Sequence, residues 1–282
     1  IYLDDTAYWD KKYFKYHCYL KNIVNDKKNK FVEKINLYSN LEGFSYMPLY
    51  YKIDINNLKK YHSLRDRIWI LKPAEGYKGE GIQILEDISS LKKKNLLGYK
   101  EWVIQEYINN PFLINSKKFH IRCLFLYTNE GKGYIFSKMP IYLATKDFIR
   151  GNYEETDVHI THLVDSQEPL YYPDDIDLDE KKINNIDKQI YKIFNDIMEI
   201  TSVSCYNESK NCYEIFGADL FLTDKLEVKL LEINNKIGLK EFQKEKNSFN
   251  NQLIESEVIS IIDTFFPPKV KQDKKSLFIA LN

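Results

Sequence analysis

The chain has 282 residues, of which 44% are hydrophobic and 29% charged, so it can bury a sizeable core and is not a disordered tail. Its 41 Lys and Arg balance 41 Asp and Glu, which argues against a protein that binds nucleic acid by bulk charge. No run approaches the ~20 apolar residues that a membrane helix needs. The four cysteines have no CxxC spacing, which favours reduced thiols and a cytoplasmic protein.

The first sixty or so residues give weak structural signals, which sharpen after residue 66. A helix is predicted over 8–23 and an extended segment over 44–53, where Pro48 marks an edge or a turn. Apolar runs bounded by Gly, Pro and Asn then predict several strands and a short helix over 91–97. The strands are expected at 68–73, 82–85, 102–108, 118–127 and 134–143.

The second half of the chain contains an amphipathic helix and a hairpin. Apolar residues at helical spacing predict a helix over 178–200. Its buried face is expected to comprise Ile183, Ile186, Ile190, Phe194 and Ile197. Two runs, 214–222 and 226–233, predict the hairpin, and a last helix is expected over 252–265. Long antiparallel hairpins mixed with a few helices indicate an α+β fold rather than a doubly wound parallel sheet.

Acidic and amide side chains on the late hairpin form a candidate metal site. Glu232 and Asn234 are two positions apart on one strand, so they point to the same face, and the short turn can bring Asp219 beside them. Two carboxylates and an amide oxygen suit Mg²⁺. The alternative is an exposed polar face, but acids among so many apolar neighbours indicate a role.

An alternating basic face occurs on the strand over 118–127. Lys118, His120 and Arg122 point to one side, where like charges repel unless an anion lies among them. A polyphosphate is a candidate ligand, because arginine binds oxygens in a bidentate manner. Cross-strand pairing with surface acids is the alternative interpretation.

A glycine-rich segment, KPAEGYKGEG, covers residues 72–81. Its glycines let backbone N–H groups approach an anion closely, and its lysines add positive charge. It is neither a P-loop nor a dinucleotide-binding GxGxxG motif, and alone it is more typical of a plain hairpin loop. The strand end QEYI, over 105–108, could offer backbone groups to a purine, but by itself it indicates nothing.

Taken in chain order, these segments resemble the tubulin-tyrosine ligase-like family of the ATP-grasp superfamily. The matching stretches are WILKPAEGYKGEGIQIL, WVIQEYINNPFLI, KKFHIRCLFLY, HITH and FGADLFLTDKLEVKLLEIN. The resemblance implies an ATP-grasp fold in which a nucleotide lies between two lobes of antiparallel sheet. Residues 1–66 are then expected to be a shortened N-terminal segment. Residues 67–282 would be the ATP-grasp domain, with a central lobe over 67–112 and a C-terminal lobe over 113–282.

The same resemblance implies a role for each matching residue. Lys72 contacts an ATP phosphate and Arg122 steadies the transferred phosphoryl group, so these two are the expected catalytic residues. Lys78 and Gly79 fall in the loop that covers the phosphates. The rest of the expected ATP site, which includes the hinge that reads adenine, comprises Gln105, Glu106, Tyr107, Ile108, Lys118, His120, Thr161 and His162. The magnesium ligands implied are Asp219, Glu232 and Asn234.

Four features depart from the family pattern. His120 replaces an Asp that contacts the ribose, and His162 replaces the Asn of an HxTN motif; both changes could weaken ATP binding. Lys236 follows the metal ligands where small residues are usual. Residues 142–144 lack the arginine that holds an amino-acid carboxylate, which leaves the choice of amino acid open. The cations that could substitute for it are Lys138, Lys146 and Arg150.

The resemblance implies an ADP-forming acid–amino-acid ligase that uses ATP and Mg²⁺. A protein carboxylate attacks the γ-phosphate, and the amine of a free amino acid then attacks the acylphosphate to give an amide. Tubulin tails on microtubules, or another acidic-tailed protein, are the expected substrate. The enzyme is expected to be a cytoplasmic monomer with no nucleic-acid or membrane partner. The alternatives are an ATP-grasp ligase with a non-tubulin substrate and a catalytically weakened module that binds a protein partner.

Overall fold

Two β-sheets and the helices beside them form the part of the chain that the computed structural model describes. That part comprises residues 20–21, 34–75, 79–151, 153–161, 170–201, 212–234, 252 and 277–281. Almost all strand pairs in it are antiparallel, and helices are interspersed. The prediction of an α+β fold rather than a doubly wound parallel sheet is therefore confirmed.

The described elements follow one another in a simple order. The strands are β1 (Leu20–Lys21), β2 (Tyr50–Lys52), β3 (Trp69–Pro73), β4 (Gln83–Leu85), β5 (Trp102–Glu106), β6 (Phe119–Thr128), β7 (Gly133–Phe136), β8 (Met139–Leu143), β9 (Leu170–Tyr172), β10 (Cys212–Leu222), β11 (Val228–Asn234) and β12 (Phe278–Ala280). The α-helices are α1 (Lys34–Asn40), α2 (Thr156–His159) and α3 (Glu180–Ile200). Short 3₁₀ turns cover Leu58–Ser63, Ile88–Ser90 and Lys93–Leu96.

The smaller sheet is antiparallel and has the strand order β2–β5–β3–β4. Side chains alternate across each strand, so Trp69, Leu71 and Trp102 lie together in an apolar core on one face. The opposite face carries Lys72 and Gln105, which lie on neighbouring strands. This second face is the one from which the candidate site is built.

The larger sheet is organised around β10, which is buried along its whole length. One edge of β10 pairs with β6, and the other pairs with β1 in parallel and with β11 in an antiparallel hairpin. The free edge of β6 is shared by β7 and β8, which extend the sheet to β12 and β9. As a result, side chains of β6, β10 and β11 can meet at one end of the sheet.

Helix α3 covers the apolar face of the larger sheet. Asp179 caps its first turn by accepting a hydrogen bond from the backbone N–H of Lys182 at 2.9 Å. The rings of Phe194 and Phe125 of β6 lie 4.7 Å apart at the contact. The predicted buried face is observed, except that Ile183 is half-buried. The residues of α3 that are fully buried are Ile186, Ile190, Ile193, Phe194 and Ile197.

The segment between α1 and β2 joins the two sheets. The carbonyl of Tyr46 accepts a hydrogen bond from Leu230 N of β11 at 3.0 Å, and the carbonyl of Leu49 accepts one from Glu106 N of β5 at 2.7 Å. The hydroxyl of Tyr38 in α1 donates to the carbonyl of Leu231 at 2.9 Å. These bonds hold the polar face of the smaller sheet beside β11. The division of the chain at residue 67 stays a prediction.

Five of the predicted elements differ from the structure or lie outside the described residues. The segment 44–53 is a strand only near its end, because the carbonyls of Tyr46 and Leu49 accept the hydrogen bonds that join the two sheets. The run 91–97 forms only a 3₁₀ turn, in which the Asn95 side chain accepts from Lys92 N. The run 134–143 is split into β7 and β8, which pair with different parts of β6. The helices expected over 8–23 and 252–265 lie largely outside the described residues, and within the first of them Leu20–Lys21 form a strand.

Two further observations concern the cysteines and membrane-spanning helices. Cys123 is a buried free thiol, but Cys212 is disulfide-bonded, which corrects the expectation that every cysteine is reduced. In the ranges that the structure describes, no helix is long and apolar enough to cross a membrane.

Candidate active site

The hairpin of β10 and β11 brings the three expected metal ligands together. Asp219 lies directly opposite Glu232 in the antiparallel register, and Gly217 lies opposite Asn234. The side-chain amide of Asn234 donates a hydrogen bond to Glu232 Oε1 at 3.1 Å. Two carboxylates and one amide are therefore neighbours at one end of the hairpin, while their role as metal ligands stays a prediction.

Arg122 of β6 forms a bidentate ion pair with Asp219. Its Nε donates to Oδ1 at 2.5 Å and its Nη2 donates to Oδ2 at 3.2 Å, because the two residues lie opposite each other in the sheet. Gly217 leaves room for the guanidinium, since a Cβ at this position would lie 3.0 Å from Arg122 Cδ. Burial alone would lower the pKa of Arg122. The charge of the Asp219 carboxylate and its hydrogen bonds to the guanidinium oppose this effect, and the pKa of Arg122 is raised. Burial also raises the pKa of Asp219, against the attraction of Arg122.

Lys72 lies on the polar face of the smaller sheet. It is buried, and its amino group donates a hydrogen bond to Gln105 Oε1 at 2.7 Å. Burial lowers the pKa of Lys72 to about 8, and the nearby carboxylates of Glu232 and Asp219 partly oppose this effect. The two sheets therefore place Lys72 within electrostatic reach of the acid pair.

Lys118 immediately precedes β6 and is as deeply buried as Lys72. Its amino group donates to the hydroxyl of Tyr107 at 3.1 Å and lies over the ring of Phe221. Burial and the charge of Lys72 lower the pKa of Lys118 to about 7. Among the described residues, neither lysine forms an ion pair with a carboxylate.

His120 lies between Lys118 and Arg122 on β6 and is neutral. Burial lowers the pKa of its imidazole to about 3. The ring lies 4.9 Å from the ring of Tyr142 at an angle of 9°, because β6 and β8 place the two residues opposite each other. His120 Nδ1 is hydrogen-bonded to Thr161 Oγ1 at 2.5 Å. Its Nε2 is buried without a hydrogen-bond partner in the described structure and lies 3.6 Å from Asp219 Oδ1.

Lys34, in the first turn of α1, is a site residue that the sequence analysis missed. Its amino group lies 3.4 Å from Glu232 Oε2. Burial alone would raise the pKa of Glu232, but Lys34 and then Lys72 overcome it and hold that pKa at about 2. A lone lysine in a weakly patterned segment carries no sequence signal that would have identified it.

The remaining expected nucleotide contacts are distributed around this cluster. The hinge follows β5, where Glu106 N and Tyr107 N already donate to the carbonyls of Leu49 and Ile68. The side chain of Glu106 forms an ion pair with Arg67 and so lies away from Lys72. Gly79 has a φ of +79°, and a Cβ at this position would lie 3.0 Å from Ile160 Cγ2. Lys78, His162 and Lys236 lie outside the described residues.

A cavity of about 750 Å³ adjoins the hinge. Residues of the hinge, of the 45–49 segment and of the β10–β11 turn line it. Lys72, Lys118, Arg122 and the acid pair do not. The cavity is therefore beside the charged cluster rather than within it. Its lining carries both signs of charge, including Arg65, Arg67, Asp66 and Glu227.

The charged residues fit a magnesium-bound polyphosphate. Burying a cation without a partner costs several kcal/mol, and an anion beside Lys72 and Lys118 would offset that cost. Two carboxylates and an amide form an oxygen donor set that suits Mg²⁺, which commonly shares its coordination with phosphate. Within the described ranges no group of three or more His, Cys, Asp or Glu could hold a metal ion. The triad contains only two acids, so it would depend on ligands from the phosphates.

Substitutes for the missing arginine of the 142–144 segment are already engaged in other contacts. Lys146 forms an ion pair with Glu155, and Arg150 donates to the carbonyl of Asn109 at 3.3 Å. Lys138 lies over the ring of Tyr171 at 4.2 Å. None of these three contacts places a cation beside His120 and Tyr142.

Comparison with known proteins gives one family. The sequence model described as "Tubulin-tyrosine ligase family" matches residues 5–273, which is nearly the whole chain.

Similar curated proteins carry related names. A "Probable tubulin--tyrosine ligase PBY1" of Saccharomyces cerevisiae is 25% identical over 72% of this chain and 34% of its own length. A "Probable tubulin polyglutamylase ttll-9" of Caenorhabditis elegans is 24% identical over 86% of this chain and 64% of its own length. A "Tubulin glycylase 3C" of Tetrahymena thermophila is 27% identical over 75% and 22% respectively. The chain therefore spans less than two thirds of each of these relatives.

Proposed function

Because the chain belongs to the tubulin-tyrosine ligase family, whose fold is ATP-grasp-like, we propose that it is an ATP- and Mg²⁺-dependent ligase that joins an amino acid to a protein carboxylate. One observation carries the proposal: within the described residues two buried lysines, Lys72 and Lys118, have no carboxylate partner, and Lys72 lies within electrostatic reach of the acid pair of Asp219 and Glu232. Lys72 lies on the smaller sheet and Lys118 immediately before β6, and the acids come from β10 and β11. A nucleotide with its metal offers the opposite charge to both groups.

The reaction would proceed in two steps. An oxygen of the acceptor carboxylate attacks the γ-phosphorus of ATP, the bond to ADP breaks, and an acylphosphate forms. The amine of a free amino acid attacks the acyl carbon, phosphate leaves, and the nitrogen loses a proton to give the amide. Phosphorylation is needed because a carboxylate is a poor electrophile at neutral pH.

The chain's own residues would act by position and charge. Lys72 and Lys118 would bind phosphate oxygens, and Arg122 would offset charge on the transferred phosphoryl group. Asp219 fixes the plane of the Arg122 guanidinium through two hydrogen bonds. Bound Mg²⁺, held by Asp219, Glu232 and Asn234, would supply further positive charge to the phosphates.

The names of the relatives support tubulin as the acceptor. Tyrosine, glutamate and glycine ligases are all named among them, so these names do not identify the amino acid that this chain would add. The experiment below determines it. The proposal includes tubulin tails as the acidic substrate, and therefore the cytoplasm as the compartment.

Mass spectrometry of the modified substrate tests this proposal. Tubulin and unrelated acidic peptides would be incubated with the chain, Mg-ATP and mixed amino acids. We expect a mass increase of one or more amino acids on tubulin. Glu232→Gln should lower the rate by about 10²–10³ while the fold is retained. The matched control is Glu227→Gln, an acid of the same hairpin that pairs with Lys229 outside the cluster. Unchanged turnover in Glu232→Gln would remove the metal assignment.

A second candidate is a nucleotide-binding module with weak ligase turnover. The stack of His120 on Tyr142 favours it, because the cation that the described residues place beside this stack, Arg122 at 5.2 Å from the Tyr142 ring, is already paired with Asp219. Calorimetry with Mg-ATP and a separate measurement of ADP release distinguish the two. Binding without ADP release, in the presence of substrate and all amino acids, would support the module.

A further inference from the structure

A buried hydrogen-bonded chain runs from Lys118 through Tyr107 to His159. The amino group of Lys118 lies 3.1 Å from the Tyr107 hydroxyl, and that hydroxyl lies 2.7 Å from His159 Nδ1. All three side chains are buried. The proposed function gives a role to Lys118 but none to the Tyr107 side chain or to His159.

While Lys118 is protonated, the chemistry of the three groups fixes the direction of the hydrogen bonds. A lysine ammonium group can only donate, so the Tyr107 oxygen accepts from Lys118. Tyr107 has a single hydroxyl hydrogen, which is then directed to His159 Nδ1. His159 must therefore present an unprotonated Nδ1. Because Nδ1 accepts the hydrogen bond from the Tyr107 hydroxyl, the lone pairs of the Tyr107 oxygen are directed towards Lys118.

The aromatic surroundings hold each member of the chain in place. The Lys118 amino group lies 4.1 Å from the centre of the Tyr107 ring and 5.0 Å from that of Phe221. The His159 ring stacks on Tyr153 at 5.3 Å and meets the Tyr107 ring edge-on at 5.6 Å. Such rings leave Lys118 few positions for its amino group.

The three residues belong to different parts of the fold. Tyr107 follows β5 of the smaller sheet, Lys118 immediately precedes β6 of the larger sheet, and His159 ends α2. The next residues tie the same segment to the site, because Thr161 is hydrogen-bonded to His120. The chain of bonds therefore connects the two sheets and α2 beside Lys118.

We propose that His159, acting through the hydroxyl of Tyr107, is a positioning residue that fixes the amino group of Lys118 for a nucleotide phosphate. This inference rests on the proposed nucleotide binding. The groups that face Lys118 are Tyr107, Phe221 and, at longer range, the cation Lys72. Because the Tyr107 oxygen is the one polar acceptor that the described residues give Lys118, its removal should also lower the lysine pKa further.

The test uses substitutions that keep the rings. Tyr107→Phe and His159→Phe each break the chain of bonds, whereas His159→Asn restores an acceptor near the position of Nδ1. Tyr153→Phe is the matched control, because it removes a buried hydroxyl that bonds to Asn109 instead. Two measurements apply: calorimetric Kd values for Mg-ATP and Mg-ADP between about pH 6 and pH 9, and NMR titration of ¹³Cε-labelled lysine in the absence of nucleotide.

We expect the two Phe variants to bind both nucleotides about tenfold more weakly, as for one hydrogen bond to a charged group. The Lys118 titration midpoint should fall in both, His159→Asn should regain most of the loss, and Tyr153→Phe should match the wild type. Should His159→Phe fail to fold, Tyr107→Phe carries the test. Unchanged Kd values and an unchanged Lys118 midpoint in Tyr107→Phe would overturn this inference but not the proposed function. A wild-type chain that binds neither nucleotide would overturn the proposed function and the inference together.

Discussion

Replacing Lys118 with methionine should stabilise the fold while weakening nucleotide binding. Lys118 is 7% exposed, and burial lowers its pKa from an ordinary value of 10.5 to about 7. At about 1.4 kcal/mol for each pKa unit, the charged form in the folded chain costs about 5 kcal/mol below pH 7. Methionine has a similar length and no charge, so it removes this cost.

Part of that gain is lost with the contacts of the ammonium group. Its positions over the Tyr107 and Phe221 rings contribute about 0.5–1 kcal/mol each, and its hydrogen bond to Tyr107 about 1–2 kcal/mol. We therefore expect a net gain of about 1–3 kcal/mol in the free energy of unfolding near pH 7.

The gain should depend on pH in a defined direction. Between about pH 7 and pH 10.5 the unfolded wild-type chain keeps the Lys118 proton and the folded chain loses it. Wild-type stability therefore rises with pH relative to the variant. The advantage of Lys118→Met should be largest at pH 7 and below, and it should disappear as the pH approaches 10.

Urea unfolding at several pH values measures this difference, with the slope m as a check that both chains unfold alike. Lys94→Met, at an exposed lysine, is the control and should change stability by less than about 0.5 kcal/mol. Calorimetry with Mg-ATP should show at least a tenfold loss of affinity in Lys118→Met only. A variant that is less stable than the wild type at every pH, or a difference that does not vary with pH, would refute the reasoning.

Two further substitutions probe neighbouring contacts. Gly217→Ala places a Cβ 3.0 Å from Arg122 Cδ and 3.1 Å from its Nη1, so the guanidinium must move. We expect kcat to fall about tenfold, with the KM for ATP little changed. Equal kcat values for the variant and the wild type would show that the position of Arg122 is not critical. Lys34→Met removes the cation 3.4 Å from Glu232 and should raise the Kd for Mg-ATP about three- to tenfold in calorimetry. Lys60→Met, at an exposed lysine of the 3₁₀ turn Leu58–Ser63, should leave it unchanged.

The late hairpin shows what the sequence could predict. Strand alternation requires Glu232 and Asn234 to share a face, and a short turn limits how far Asp219 can lie from them. The structure places Asp219 opposite Glu232, as this spacing predicts. The position of Arg122 opposite Asp219 could not be predicted, because it depends on which strand pairs with the other edge of β10.

Residues brought in by tertiary packing carry no local signal. Lys34 reaches Glu232 across 198 positions of sequence, and its short helix is stabilised by contacts with β11 rather than by its own pattern. His159 is 52 positions from Tyr107, and a histidine in a loop is more often structural than functional. Pairing between β6 and β8 likewise decides that His120 stacks on Tyr142. Such contacts follow from the fold and not from the spacing of residue types.

The arrangement of charge explains why neither a metal ion nor an anion alone would suit this site. The acids of the hairpin lie on the larger sheet, while Lys72 lies on the smaller sheet and pairs with Gln105 rather than with an acid. A metal ion at the hairpin would match Glu232 and Asp219 but would leave Lys72 and Lys118 buried without counter-charge. A phosphate anion at the lysines would lie near two carboxylates and be repelled by them. A polyphosphate that carries its own divalent cation would satisfy both halves at once, and this electrostatic match is the physical basis of the proposed metal–nucleotide site.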